Sequence, residues 1–212
     1  MVSRKETESR VPELYWNDNT EYIARNSTFS HDLGVKAWKQ ILGAISLNEI
    51  DTVFDCGANI GRNIGFLKDV DLLSKSSFAA LDLNSVALEK LIGTYPDVET
   101  KHTNILNFEC DEVFDLVFTS GVLIHINPKN LEQVYENLMK LTKKYCLLIE
   151  YFNRTPVEIP YRGENGLLWK RDFGKHFLEK SGWEPISYGF LWGHEYDTAG
   201  FDDVTYWLFK RD

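Results

Sequence analysis

The chain has 212 residues, which fits one domain with a sizeable core, and its 43% hydrophobic and 26% charged residues are ordinary for a globular protein. A formal net charge of −9 disfavours broad electrostatic binding to nucleic acid or to an anionic membrane. No stretch approaches a membrane span and the polar first ten residues do not resemble a secretory leader. The three cysteines, Cys56, Cys110 and Cys146, have no metal-ligand spacing. Free thiols in a cytoplasmic protein without a metal site are therefore expected.

In chain order, residues 1 to about 12 read as a mobile lead and residues 13–47 as a helical N-terminal lead-in, with apolar positions at helical spacing over 35–47. Strands and helices then alternate. Strands are predicted over 52–55, 77–82, 98–103, 114–119 and 145–151, and helices over 61–70, 84–94 and 128–142. The last helix opens with Asn127 as cap and Pro128 at its first position. Asp172 can cap a further helix that stops at Gly182. Two closing runs, 185–192 and 203–209, can pair as an antiparallel hairpin. Alternation of this kind predicts a single α/β domain over 1–212, with a seven-stranded, mostly parallel sheet, an antiparallel last strand and helices on both faces.

The most informative segment is Asp55-Cys-Gly-Ala-Asn-Ile-Gly61. An apolar strand enters a turn holding Gly57 and Gly61, a helix leaves it, and a second strand ends in Asp82, about 20 residues beyond the last glycine. That is a nucleotide-binding βαβ layout, with Asp82 placed to hold two ribose hydroxyls. Two details favour S-adenosylmethionine over a dinucleotide. Asp55 ends the first strand, where a carboxylate would repel a pyrophosphate but suits the ammonium of a bound amino acid. Asn59 replaces the middle glycine and would crowd a pyrophosphate. In an open parallel sheet the ligand sits at the carboxyl ends of the strands, which gathers Asp55, Asp82, Asn104, Thr119 to Gly121, and Glu150 to Asn153.

The order of these motifs, with Phe114-Asp-Leu-Val-Phe118 after them, resembles class I S-adenosylmethionine-dependent methyltransferases across nearly the whole chain. Four stretches resemble, more narrowly, the methylases associated with pseudaminic acid biosynthesis. They are Glu21-Tyr-Ile-Ala-Arg-Asn26, residues 121–128, residues 150–163 and Lys170-Arg-Asp172. Residues 192–200 depart from that pattern. The resemblance implies methyl transfer to a small acidic sugar, with O-methylation favoured over N-methylation, by a monomer or homodimer.

The resemblance also implies site roles. Gly57, Ala58, Asn59, Gly61 and Asn63 surround the methionine and ribose, Asp55 meets the ammonium, Leu83 packs on the adenine, and Asn104 and Ile105 grip it. Ser120 and Gly121 complete the cofactor site, and Trp16 walls it off. Arg25, supported by Tyr22, can bind the cofactor carboxylate bidentately. His125 is the candidate general base. Tyr151, Asn153, Glu158, Tyr161, Arg162, Lys170 and Arg171 are the candidate acceptor site, with Asp202 and Asp203 as possible additions; Pro156 and Pro160 argue against regular structure there. The alternatives are another acidic metabolite as acceptor, a non-catalytic S-adenosylmethionine-binding regulator, or an NAD-dependent dehydrogenase.

Overall fold

The computed structural model describes residues 12–17, 20–25, 27–71 and 73–211. Five strands come first: β1 (Thr52–Cys56), β2 (Ser77–Asp82), β3 (Glu99–His102), β4 (Phe114–Ser120) and β5 (Thr142–Glu150). Two-residue strands β6 (Val157–Glu158) and β7 (Trp169–Lys170) pair only with each other, and β8 (Glu184–Leu191) and β9 (Val204–Lys210) close the chain. The main sheet has seven strands in the order β3-β2-β1-β4-β5-β9-β8, and β9 runs antiparallel to both neighbours. From β1 the chain builds outward through β2 and β3, then returns to the other side of β1 with β4. The crevice beyond the carboxyl ends of β1 and β4 is therefore the switch point at which such sheets hold ligands.

Strand composition explains the layering. In β5, Leu147 and Ile149 enter one buried cluster while Cys146 and Leu148 enter the other. A strand buried on both faces must be apolar throughout, which is why the central runs read as continuous rather than alternating. One face is covered by α3 (His31–Ile41), α4 (Arg62–Lys68) and α5 (Ser85–Thr94), with the indole of Trp38 edge-on to Phe118 at 4.9 Å. The other is covered by α6 (Leu131–Leu141) and α7 (Phe173–Ser181). Two N-terminal helices, α1 (Pro12–Asn17) and α2 (Thr20–Arg25), precede this body, and the four-residue α8 (Gly193–Tyr196) lies between β8 and β9.

Several boundaries differ from expectation. Asn127 and Pro128 open a 3-10 turn, Pro128–Asn130, in which Asn127 Oδ1 accepts the Lys129 N–H at 3.2 Å; α6 starts only at Leu131. The following strand begins earlier, at β-branched Thr142, whose hydroxyl bonds the Leu138 carbonyl at 2.7 Å. The apolar run over 35–47 is not one helix. It stops at Ile41 and continues as 3-10 turns around Gly43 and Leu47. The proline-containing segment after β5 is not wholly irregular either: Pro156 and Pro160 flank the short β6, which their missing N–H groups confine to two residues. Asp172 caps α7 by accepting the Lys175 N–H at 2.9 Å, and Gly182 ends it with φ 68°.

Candidate functional site

The turn after β1 is fixed by backbone bonds to the neighbouring strand. The N–H groups of Gly57 and Ala58 both donate to the Leu81 carbonyl, at 2.9 and 3.0 Å. Gly57, at φ 100°, must lack a Cβ, because one would overlap Val122; Asn59 takes φ 51°, which asparagine tolerates. This conformation aims the Asn59 N–H at Asp82 Oδ2, 2.7 Å away, while the Asn84 N–H donates to Asp82 Oδ1 at 2.8 Å. These backbone donors orient Asp82 at the end of β2, where a carboxylate can accept hydroxyl donors. Asn84 in turn caps α5 through the Ala87 N–H at 3.0 Å and holds the Trp16 carbonyl at 3.2 Å, tying α1 to the site.

A cavity opens here between the ends of β1, β2 and β4. Its walls include Trp16, Gly57, Asn59, Asp82, Leu83, Asn104, Ile105, Ser120, Gly121 and His125. A smaller recess under the same turn is lined by Gly57, Ala58, Asn59, Ile60, Arg62, Asn63 and Ser120. Most of the residues expected around a cofactor are thus brought together. Asp55 and Gly61 line neither cavity. A Cβ at residue 61 would meet Leu91 Cγ at 2.9 Å, so its absence lets α4 approach α5 rather than a ligand. The side chains of Tyr22 and Arg25 lie outside the described residues.

Asp55 lies beneath the turn, 1% exposed, and neither carboxylate oxygen has a hydrogen-bond partner among the described residues. Burial, reinforced by the Asp82 charge, pushes its carboxyl well above the usual range, against an opposing pull from Arg62. The contrast with Asp115, at the other end of the sheet, is instructive. Asp115 is equally buried, but its Oδ2 accepts the N–H groups of Asp51 and Thr52 at 2.9 and 3.2 Å, and its Oδ1 meets Lys144 Nζ at 3.0 Å. Asp115 is satisfied by the fold. Asp55 awaits a donor from elsewhere, and the ammonium of an amino acid is a fitting one.

His125 ends the 3-10 turn Leu123–His125 after β4. Its Nδ1 lies 2.7 Å from the Leu167 carbonyl, which can only accept; Nδ1 therefore carries the proton and Nε2 keeps its lone pair. Burial lowers its pKa to about 4, so the ring is neutral at pH 7. The imidazole packs between Trp16, centroid to centroid 4.1 Å, and Tyr161 at 5.5 Å. It borders the first cavity and also a second one, lined by Arg62, Tyr151, Tyr161, Leu168, Asp197, Gly200, Phe201 and Asp202 among others.

Of the expected acceptor residues, Tyr151 and Tyr161 line this second cavity; the others do not. Lys170 Nζ stacks 4.5 Å over the Tyr151 ring, and the Arg162 guanidinium lies 6.0 Å from the Tyr161 centroid. Asn153 bonds back to the Thr155 carbonyl at 2.6 Å and Glu158 accepts the Gly166 N–H at 2.7 Å, so both brace the loop. Arg171 faces Phe173, on the side of α7. Asp202 does line the cavity, accepting the Tyr151 hydroxyl at 3.3 Å, whereas Asp203 accepts the Gly193 N–H at 2.8 Å.

Sequence reading missed three contributors, Arg62, Asp197 and Asn137, and placed Glu150 at the strand end without a role. Arg62 and Asp197 reach the cavities from an ordinary helix start and from the unmatched 192–200 segment. Glu150, fully buried, accepts the Thr119 hydroxyl at 2.9 Å and the N–H groups of Val122 and Ile124 at 3.2 and 3.3 Å, and so holds the turn that carries His125. Burial raises its pKa to about 7. Asn137 donates to the carbonyls of Ile105 and Leu106 at 2.7 and 3.1 Å, fixing the loop after β3. The one available signal was an asparagine on the otherwise apolar face of α6.

Among the described residues no group of His, Cys, Asp and Glu could hold a metal ion, and no helix is long and apolar enough to cross a membrane. No family model and no curated protein matches the sequence. Solved structures do match. A 1,6-didemethyltoxoflavin-N1-methyltransferase of Burkholderia thailandensis, with S-adenosylhomocysteine bound, superposes with a TM-score of 0.67 at 13% identity, over 93% of this chain and 84% of that one. A S-adenosylmethionine-dependent methyltransferase of Leishmania major gives 0.70 at 13%, over 94% and 81%. The magnesium protoporphyrin IX methyltransferase of Synechocystis, with S-adenosylmethionine bound, gives 0.67 at 10%, over 97% and 99%. The sheet order, the antiparallel last strand and these superpositions agree: the chain has the fold of class I S-adenosylmethionine-dependent methyltransferases.

Proposed function

We propose that this protein is an S-adenosylmethionine-dependent methyltransferase acting on a small polar acceptor, and that the acceptor is a sugar of the nonulosonic, pseudaminic type methylated on oxygen. The observation that carries the reading is the position of His125. A neutral imidazole with its tautomer set by a carbonyl stands at the seam between the cavity that holds Asp82, Leu83 and Asn104 and a second one lined by Arg62, Tyr151, Tyr161, Asp197 and Asp202.

The cofactor supplies a methyl group on a positively charged sulfur, open to in-line attack. Asp82 holds the ribose hydroxyls, Asn104 and Ile105 border the base, and Asp55 receives the ammonium. His125 Nε2 would take the proton that the acceptor hydroxyl gives up as its oxygen displaces the sulfur from the methyl carbon, the sulfur leaving as a neutral thioether. General-base help of this kind contributes roughly 10²–10⁴-fold, and positioning of the two reactants contributes the rest. Tyr151, Tyr161, Asp197 and Asp202 offer the donors and acceptors that sugar hydroxyls need.

A second reading is N-methylation, favoured by the carboxylates of Asp197 and Asp202, which suit an amino group as well as a hydroxyl. Calorimetry with S-adenosylhomocysteine tests the reading at its base. Wild type should bind, and Asp82→Ala should bind about 100-fold more weakly, since two charge-assisted hydrogen bonds are lost. Folded wild type that binds neither S-adenosylmethionine nor its product would overturn the proposal. A labelled-methyl screen of nonulosonic acids and amino sugars then separates oxygen from nitrogen acceptors.

A further inference from the structure

The two edges of the main sheet are finished differently. At one edge β3 has four residues and presents Glu99 and Lys101, charges of the kind that keep a further chain away. At the other edge β8 has eight residues, and its one charge, Glu184, stands at its start. Helix α7 covers the sheet as far as β9, where Gly174 must lack a Cβ because the Trp207 indole lies against it. Tyr188 and Phe190 stand opposite Trp207 and Thr205 in the β8–β9 ladder and so share that face, yet no described element covers them: they are 77% and 52% exposed. Trp192, 56% exposed, follows in extended backbone, with His194 packed on it at 4.6 Å. Exposed Phe152 extends the patch from the far side of Trp207, with 6.2 Å between ring centroids.

With about 200 Å² for each whole side chain, Phe152, Tyr188, Phe190 and Trp192 expose roughly 450 Å². Contiguous apolar patches of that size mark interaction sites. A specific interface takes about 600–800 Å² from each partner, so the four rings supply at least half of one and main-chain and rim atoms complete it. An added strand is not the occupant, because α3 already reaches this edge: Gln40 Nε2 donates to the Phe190 carbonyl at 3.5 Å. An anionic bilayer is opposed by the net charge of −9. A second copy of the chain fits. Tyr188, Phe190 and Trp192 form a row of three at the two-residue period of a strand, and a two-fold axis through Phe190 lays that row on itself. We infer that this face is a homodimer interface, in which Phe190 packs on its own equivalent and Tyr188 packs on Trp192 of the other copy. The inference does not depend on the identity of the acceptor.

Sedimentation velocity on the full chain over a concentration series tests it. Wild type should dimerise. Tyr188→Glu, at the most exposed position of the row, should raise the dimer Kd about 100-fold, because the two-fold axis makes the change twice. Tyr188→Ser, which removes the ring without adding charge, should raise it about 10-fold, and melting curves check that both variants fold. Ile92→Glu, at an exposed apolar position on α5, should leave it unchanged. Combining Tyr188→Glu with Trp192→Lys in one chain should regain most of the affinity, since each new carboxylate then meets a new ammonium across the axis. A wild type that stays monomeric up to about 100 µM overturns the proposal, as does a dimer that neither substitution at residue 188 weakens. A double variant no tighter than Tyr188→Glu overturns the pairing centred on Phe190. A monomeric wild type that binds vesicles of phosphatidylcholine and phosphatidylglycerol, and loses that binding in Tyr188→Glu, would assign the face to a membrane and overturn the dimer.

Discussion

The two cavities that meet at His125 are built in different ways. The first is made from strand ends and the turns next to them: Gly57 and Asn59 after β1, Asp82 ending β2, and Ser120 and Gly121 at the end of β4. Its polar groups are locked by backbone bonds of 2.7–3.0 Å, so they are aimed before any ligand arrives. The second is made from loops: Tyr151 and Tyr161 beyond β5, and Asp197 to Asp202 between β8 and β9, joined by Arg62 from the far side of the domain. Within its lining the Tyr151 hydroxyl donates to Asp202 at 3.3 Å and Arg62 Nη2 donates to the Gly200 carbonyl at 3.3 Å. The first cavity is thus a property of the sheet, whereas the second is a property of this chain's loops, where one fold can acquire many acceptors.

The largest expected effect comes from breaking the seam. His125→Ala should lower kcat about 10²–10⁴-fold while the affinity for S-adenosylhomocysteine stays within about threefold, because the ring borders that cavity without anchoring the ribose. A parallel collapse of cofactor binding would make His125 a wall residue instead. Labelled methyl transfer and calorimetry on the same preparation distinguish the two.

Glu150 probes the brace beneath the seam, through pH. Its folded pKa of about 7 lies above the ordinary 4.5, so the folded state binds the extra proton between those values. Its contribution is fully present below about 4.5 and is lost as pH rises to about 7. Relative to Glu150→Gln, wild type should lose about 3 kcal/mol across that window. Urea unfolding at several pH values reads the difference, and parallel curves for the two proteins would show that the carboxyl ionises freely in the fold.

The smallest effect should sharpen the contrast between the cavities. Tyr151→Phe removes the bond to Asp202 and should raise the acceptor KM about 3- to 10-fold, the equivalent of one typical hydrogen bond of about 1 kcal/mol. The S-adenosylhomocysteine affinity should not move. Steady-state kinetics with saturating cofactor measures it, and a matching loss of cofactor affinity would show that the two cavities are mechanically one.

The same division decides what could be read from the sequence. Asp55, Gly57, Asn59 and Asp82 are legible because a single βαβ unit fixes their separations, so chain distance stands in for spatial distance. The acceptor wall has no such rule. Arg162, Lys170 and Arg171 are near Tyr151 in the chain, yet β6 and β7 pair antiparallel, and the segment carries the three away from the cavity lining. Asp197 belonged to the stretch that matched nothing, and Arg62 looked like any charged residue opening a helix. Glu150 was visible as a strand end, but its three donors come from residues 119–124, which only the parallel pairing of β4 with β5 brings beside it.

The partner of His125 Nδ1 is a main-chain oxygen, Leu167 O, in the loop that leads into β7. A carboxylate in that place would do two things: set the tautomer and offset the charge of the imidazolium. A carbonyl does the first, and favours the charged ring only through its dipole, which burial outweighs here. In the proposed role, His125 is a directional base with no counter-charge at that nitrogen, and a proton it accepted would be held weakly and handed on readily. Because the partner is backbone, no side-chain substitution can delete it. The path of residues 159–168 decides which nitrogen is bare, and that path also sets Tyr161 in the acceptor wall. If the proposed roles hold, acceptor recognition and base orientation share one length of chain, and displacing that loop from the cavity would leave His125 free to turn its other nitrogen toward the acceptor.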